Sequence, residues 1–265
     1  MTTSPILVTG GTGTLGRLVV KRLSQAGRDV RVLSRQQEED RDGLEFVVGD
    51  LSTGSGVASA TRGVSTVVHC AGSQKGDDDK ARVLVHAAER ERIEHLVHIS
   101  VVGADRIPIE SAVDRAMFGY FGFKRGAENI IRESGLPYSM VRATQFHDLN
   151  LAAVQGLAKL PVIPSPAGFS FQPISADEVA ARLVELALGV PSGLVADMGG
   201  PRVYTMVELI REYLARTGQR RRIVQVPMPG RAAAAFRSGA NLTPEHAVGR
   251  QSWEEFLTQR LEVRT

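Results

Sequence analysis

Short β-branched runs alternate along the chain with longer stretches in which apolar residues recur every three or four positions. Ile6-Leu7-Val8 reads as a buried strand. After a glycine loop, Leu15, Leu18, Val19, Leu23 and Ala26 fall at helical spacing, Arg17, Lys21, Arg22 and Gln25 take the opposite positions, and Gly27 supplies a stop. Val30, Val32 and Leu33 make a second strand, and the pattern predicts further strands at 46–48, 64–69 and 96–100, with a helix over about 77–92 between the last two. A helix over about 120–134, stopped by Gly135, leads into a sixth strand at 138–142. Strands separated by helix-length segments imply βαβ crossovers. The chain is therefore expected to be α/β, with a doubly wound parallel sheet covered on both faces.

Beyond Arg142 the rhythm changes. Pro161, Pro164 and Pro166 break the pattern, followed by helices at 176–188 and 206–216, short strands near 194–198 and 223–226, a helical turn at Ala232 to Ala235, and a last helix near 253–261. These features predict a ligand-binding domain over 1–145 and a smaller C-terminal α/β lobe over 146–265, interleaved on the same sheet. Ligands of open α/β sheets bind outside the carboxyl edge, so the lobe is expected to shape a substrate cleft there.

Of the 265 residues 43% are hydrophobic and 23% charged, which excludes a disordered chain. The single cysteine, Cys70, excludes an intrachain disulfide and a thiolate cluster, and six scattered histidines form no close ligand pair, so no metal is expected. Lys and Arg number 32 against 29 Asp and Glu and are spread out. Their tightest group, Arg220 to Arg222, reads as a solvated turn before a strand, and no nucleic-acid partner is expected. No apolar stretch approaches the roughly 20 residues of a membrane span, and no basic segment precedes a long apolar one at the N-terminus. The expectation is a cytoplasmic monomer or homodimer with a small-molecule substrate and no membrane partner.

The candidate chemistry begins at Thr9 to Arg17, between the first strand and first helix, where the chain must turn tightly and expose amides to an anion. Gly10 and Gly13 permit the turn and a close pyrophosphate, Gly16 lets the helix pack near the strand, and Thr12, Thr14 and Leu15 complete the loop and first turn. The spacing is G-x-x-G-x-x-G, and its strand-before, helix-after setting points to a dinucleotide. At the end of the second strand stand Ser34 and Arg35, with no carboxylate to hold a ribose diol. Arg35 reads as an exposed cation or as a partner of a 2′-phosphate, which favours NADP(H) over NAD(H). Asp50, followed by Leu51, is placed to accept from an adenine amino group or to cap its strand end. Cys70, Ala71 and Gly72 follow the fourth strand, where the backbone is expected to approach the ribose and nicotinamide half.

With these pieces the chain resembles the short-chain dehydrogenase/reductase superfamily, in its atypical, NmrA-like branch. The resemblance rests on the Thr9 to Arg17 loop, Gly49-Asp50-Leu51, Cys70-Ala71-Gly72, His95 to Ser100, Tyr120-x-x-x-Lys124 and Arg142 to His147, and continues through Gln172-Pro173-Ile174, Asp177 to Ala180 and Gly199-Gly200-Pro201. It implies a Rossmann-type fold and an NADP(H)-dependent oxidoreductase that moves a hydride to or from a small carbonyl, alcohol or quinone-like substrate. The branch also holds cofactor-sensing proteins without turnover and epimerase-like enzymes. The implied catalytic residues are Ser100, Tyr120 and Lys124. Tyr120 and Lys124 lie one helical turn apart, where an ammonium lowers the phenol's pKa, and Lys124 also holds the nicotinamide ribose. Ser100 is expected to hydrogen-bond the substrate oxygen.

Each of these residues has a plainer reading. Tyr120 belongs to an aromatic set with Phe118, Phe121 and Phe123 that suits packing, and Ser100 suits a strand-end hydroxyl. The segment from Ala104 to Gly119 is longer than the family's usual link, and Gly119, Gly122 and Gly126 each weaken a helix by roughly 1 kcal/mol relative to alanine. His147 reads as a substrate contact, a proton relay or a structural histidine. Gln145, Phe146 and Phe171 are candidates for the pocket wall, with core packing as the alternative for the two aromatics. Asp77, Asp78 and Asp79 suit the positive N-terminal end of a helix better than a metal.

Overall fold

The computed structural model describes residues 4–73 and 75–262; the outermost residues of the two expected domains, 1–3 and 263–265, lie outside the described residues. The first part of the chain runs β1 (Ile6–Thr9), α1 (Thr14–Gln25), β2 (Val30–Ser34), β3 (Leu44–Val48), α2 (Val57–Thr61), β4 (Thr66–His69), α3 (Asp77–Glu91), β5 (His95–Val101), α4 (Ala112–Glu133) and β6 (Tyr138–Ala143). It continues through α5 (His147–Ala158), β7 (Val162–Pro166), β8 (Ser170–Phe171), α6 (Ala176–Leu188), β9 (Gly193–Leu194), β10 (Tyr204–Thr205) and α7 (Met206–Arg216). The last elements are β11 (Arg222–Val226), α8 (Arg231–Arg237) and α9 (Trp253–Glu262). Among the described residues no helix is long and apolar enough to cross a membrane.

Seven strands form one parallel sheet in the order β3-β2-β1-β4-β5-β6-β9. The chain steps outward from β1 to β3 and then returns to β4 on the other side of β1, so the strand order reverses between β1 and β4. That is the switch point at which open α/β sheets leave a crevice for ligands.

The chain divides into two compact units that exchange segments: residues up to Ser100 with Gly119–Arg142 and Asp177–Ala196, and Val101–Phe118 with Ala143–Ala176 and the residues from Asp197 onward. In the first, Leu7, Val67, Leu96 and Met140 of the sheet pack against Leu84 and Ala88 of α3 and Ile131 of α4. In the second, the fully buried Trp253 anchors a core with Leu209, Ile210, Leu257 and Ile163. This unit carries two small sheets, β8 with β10 antiparallel and β7 with β11 parallel.

Several elements differ from the expected pattern: α2, β8 and β10 were not expected, and three further differences have a clear physical reason or place. Helix α4 starts at Ala112, two turns before the expected position, because Ser111 and Asp114 cap it reciprocally: Ser111 N–H donates to Asp114 Oδ2 (3.1 Å) and Asp114 N–H to Ser111 Oγ (3.0 Å). Much of the long link is therefore helix. The proline-broken stretch forms β7, whose Pro164 and Pro166 need no ladder donor because the strand pairs on one side only, with β11. Helix α5 occupies a segment for which no helix was expected.

Candidate active site and cofactor cleft

The glycine loop is built by close approach. Gly10 adopts φ +69°, and a Cβ there would lie 2.7 Å from the Ala71 Cα; a Cβ on Gly16 would lie 2.1 Å from the Gly10 carbonyl oxygen. Gly13 N–H donates to that carbonyl (2.9 Å) and Gly13 then caps α1. No side chain caps α1 and no acid occupies its first turn, so the amides at its start are offered to an anion.

A cleft of about 270 Å³ opens beside this loop at the carboxyl ends of the first strands. Its wall takes Gly10, Thr12 and Gly13 from the loop, Ser34 and Arg35 from the end of β2, Asp50 and Leu51 after β3, and Cys70, Ala71 and Gly72 after β4. Leu15 and Gly16 are buried beneath the loop, and Thr14 is exposed at the start of α1, so these three are not on the wall. Ser34 Oγ accepts from Gln36 N–H (3.2 Å), fixing the turn from which the exposed Arg35 projects. Asp50 Oδ1 accepts from Ser52 N–H (2.8 Å); that bond, helped by Arg35 and Lys80, holds its carboxyl below the ordinary range. Desolvation pushes the Cys70 thiol up to about 12.

Lys124 is buried, and its Nζ lies 2.9 Å from Asp77 Oδ2 and 5.7 Å from the Tyr120 ring centroid. A Cβ on Gly72 would come within 3.1 Å of this Nζ; glycine there leaves the ammonium open to the backbone that lines the cleft. Burial works against the charge, but Tyr120 and Asp77 outweigh it and hold the Lys124 pKa above the usual lysine value. Asp77 Oδ1 accepts from Ser73 N–H (2.8 Å). Its burial opposes ionisation, yet Lys124 and the Ser73 amide keep the carboxyl below its ordinary value. Helices α3 and α4 come together closely here because position 126 is glycine: a Cβ would lie 2.9 Å from the Asp78 Cβ.

Strand alternation places Leu96, His98 and Ser100 of β5 on the face that α3 and α4 cover. Ser100 is buried at the carboxyl end and its Oγ has no protein partner. His98 stacks on His69 of the neighbouring strand at a centroid distance of 5.1 Å, and His69 Nδ1 lies 2.7 Å from Thr9 Oγ1. Burial lowers the His69 pKa to about 3 and that of His98 well below its ordinary value, so the stacked rings are neutral.

A family model described as NAD(P)H-binding matches residues 10–188 of this chain. The chain belongs to that NAD(P)H-binding family. One relative of this family member is a (4-alkanoyl-5-oxo-2,5-dihydrofuran-3-yl)methyl phosphate reductase of Streptomyces griseus, 31% identical over 161 residues that cover 60% of this chain and 54% of the relative. The match thus spans about half of that reductase's length. A ceramide reductase of Caulobacter vibrioides is 28% identical over 246 residues, covering 85% of this chain and 74% of the relative. Among solved structures, the NADPH-dependent quinone oxidoreductase of Escherichia coli in complex with NADPH superposes with a TM-score of 0.78 at 17% identity, over 97% of this chain and 99% of that one. This last likeness is one of fold.

The residues present suit the family's cofactor: a cradle at Gly10 and Gly16 that side chains would fill, uncapped amides at α1, and a cleft at the switch point. The structure brings ten of the expected cofactor residues onto one wall and sets Lys124 behind Gly72. Sequence reasoning missed Asp77 as the partner of Lys124, and Lys80, which also lines the cleft of this NAD(P)H-binding protein.

In the second unit, Gln145 Nε2 and Oε1 are shielded from solvent and have no protein partner. Phe146 caps α5 and bridges to Ile174. His147 is buried against Phe256 and Trp253, at centroid distances of 4.8 and 6.0 Å, with Nε2 3.0 Å from the Gln251 carbonyl. Its burial lowers the pKa to about 4. Phe171 packs on Phe236 at 5.8 Å. Phe118, of the aromatic set on α4, packs with Phe169 and Phe236.

Proposed function

We propose that the chain is an NADP(H)-dependent oxidoreductase acting on a small carbonyl, alcohol or quinone-like substrate. The observation that carries this reading is the buried Lys124 ammonium, held by Asp77, beside the Tyr120 ring and next to the Gly72 backbone. When bound, the nicotinamide supplies or accepts the hydride. The amides at the start of α1 bind its pyrophosphate, and the Arg35 guanidinium pairs with a 2′-phosphate.

In the reducing direction the Tyr120 hydroxyl gives its proton to the carbonyl oxygen while the adjacent carbon receives the hydride. The Lys124 ammonium stabilises the phenolate left behind, and the Ser100 hydroxyl, which lacks a protein partner, donates to the same substrate oxygen. One carbonyl, one NADPH and one proton become one alcohol and one NADP⁺. Gln145, Phe146, His147 and Phe171 are the candidates for substrate contact. The unpartnered Gln145 amide offers both a donor and an acceptor, whereas the neutral, stacked His147 supplies shape. The reductase names of the two curated relatives support the reaction class.

The test is a titration with NADPH and NADH followed by NADPH absorbance against ketones, aldehydes and quinones. Substrate-dependent loss of NADPH supports the reading. Tight NADPH binding without consumption on any substrate contradicts it in favour of a sensor, and substrate conversion without net change in the cofactor contradicts it in favour of an epimerase.

A further inference from the structure

Among the described residues, one face of the two-stranded sheet of β7 and β11 is partly exposed. Parallel strands are ordinarily covered on both faces. Here the inner face buries Ile163 in the core, with Ile223 packed beside it. The register Val162–Arg222, Pro164–Val224 and Pro166–Val226 puts the alternate residues on the outer face. Val162, Val224 and Val226 are 45%, 39% and 44% exposed, and Leu160, just before the strand, is 42% exposed. At the end of this face where both strands begin, Lys159, Pro161, Arg220, Arg221 and Arg222 line an open groove of about 520 Å³. Among the described residues none of these four cations meets a carboxylate; Arg221 donates only to the Arg220 carbonyl, at 3.0 Å.

We propose that this face rests on an anionic phospholipid surface, its cations on headgroup phosphates and its aliphatic side chains in the interfacial layer. Charge complementarity selects this occupant, since unpaired cations beside exposed aliphatic residues are the combination that peripheral membrane contacts use. Single-stranded nucleic acid would find cations but no exposed aromatic platform, because Tyr213 nearby is buried. An isologous contact with a second copy would set these cations against their own counterparts. The inference is independent of the proposed reaction. It assigns Arg220 to Arg222 a role beyond a solvated turn, and adds a surface contact that the expectation of no membrane partner left out.

Flotation of the full chain with vesicles tests it. The chain is expected to float with equimolar phosphatidylcholine and phosphatidylserine but not with phosphatidylcholine alone, and to be released by added salt. R220Q/R221Q/R222Q and, separately, V224S/V226S should each lower the bound fraction at least about tenfold. All five positions are exposed, and the salt series needs no variant. Absence of flotation at low salt, equal flotation on neutral vesicles, or flotation indifferent to both variants would overturn the proposal. A dimer in light scattering that V224S/V226S abolishes would reassign the face to a second copy. Oligonucleotide binding without vesicle binding would reassign it to nucleic acid.

Discussion

Lys124 Nζ sits 2.9 Å from Asp77 Oδ2, with both side chains buried. The pair joins the first turn of α3 to the middle of α4, so one ion pair both ties two helices together and fixes an ammonium behind Gly72. Removing one partner of such a pair strands the other charge away from water, whereas removing both does not.

Asp77→Asn should therefore destabilise the fold by about 3 kcal/mol, and Asp77→Asn combined with Lys124→Met should regain most of it. Urea denaturation of the single and double variants measures this. A double variant as unstable as the sum of the singles would contradict an ion pair of this kind.

Gly126 faces Asp78 so closely that a Cβ would lie 2.9 Å from the Asp78 Cβ, while a Cβ on Gly119 would meet only Phe123, at 3.8 Å. Gly126→Ala should cost about 1–3 kcal/mol from overpacking. Gly119→Ala should be neutral or stabilise by up to about 1 kcal/mol, because alanine is the better helix former. Thermal melts of the two variants should move in these unlike ways.

Arg35 stands exposed on the cleft wall, where the second strand ends without a carboxylate. Arg35→Ala should weaken NADPH binding about ten- to hundredfold, the worth of charge-assisted hydrogen bonds, and leave NADH nearly unchanged. Equal losses for both cofactors in a fluorescence titration would show that Arg35 does not read the 2′-phosphate.

His69 and His147 are held neutral by burial, with pKa values lowered to about 3 and about 4 from 6.5. In the unfolded chain both rings protonate near 6.5, so below that pH the unfolded state binds more protons and stability falls. Their stabilising effect is complete above pH 6.5 and is lost as pH falls toward about 4, on the order of 1–3 kcal/mol for each ring. Urea denaturation between neutral and mildly acid pH should show the slope. His147→Phe, which keeps the stack on Phe256 and Trp253, should make it shallower. An unchanged slope would mean that His147 does not titrate on unfolding.

The cofactor cleft was legible because its signals are local. Glycines at 10, 13 and 16 between a strand and a helix have few other uses, and the ends of β2, β3 and β4 follow from where the apolar runs stop. Tyr120 and Lys124 entered through the family resemblance, and the structure sets them one turn apart on α4. Asp77 was not legible: Asp77, Asp78 and Asp79 all suit a helix start, and only the docking of α3 on α4 singles out the one that meets Lys124. The early start of α4 was written in Ser111 and Asp114, whose capping pattern the expected boundary near 120 did not use. Strand β7 was hidden by its prolines, which deny a central strand and permit an edge one.

The most direct measurement is NADPH turnover by wild type, Tyr120→Phe and Lys124→Ala on one accepted substrate, each at saturating cofactor. The account predicts that Tyr120→Phe binds NADPH as the wild type does and turns over at least about a hundredfold more slowly, the worth of a positioned proton donor, and that Lys124→Ala loses turnover as well. Turnover left intact by both substitutions would contradict it.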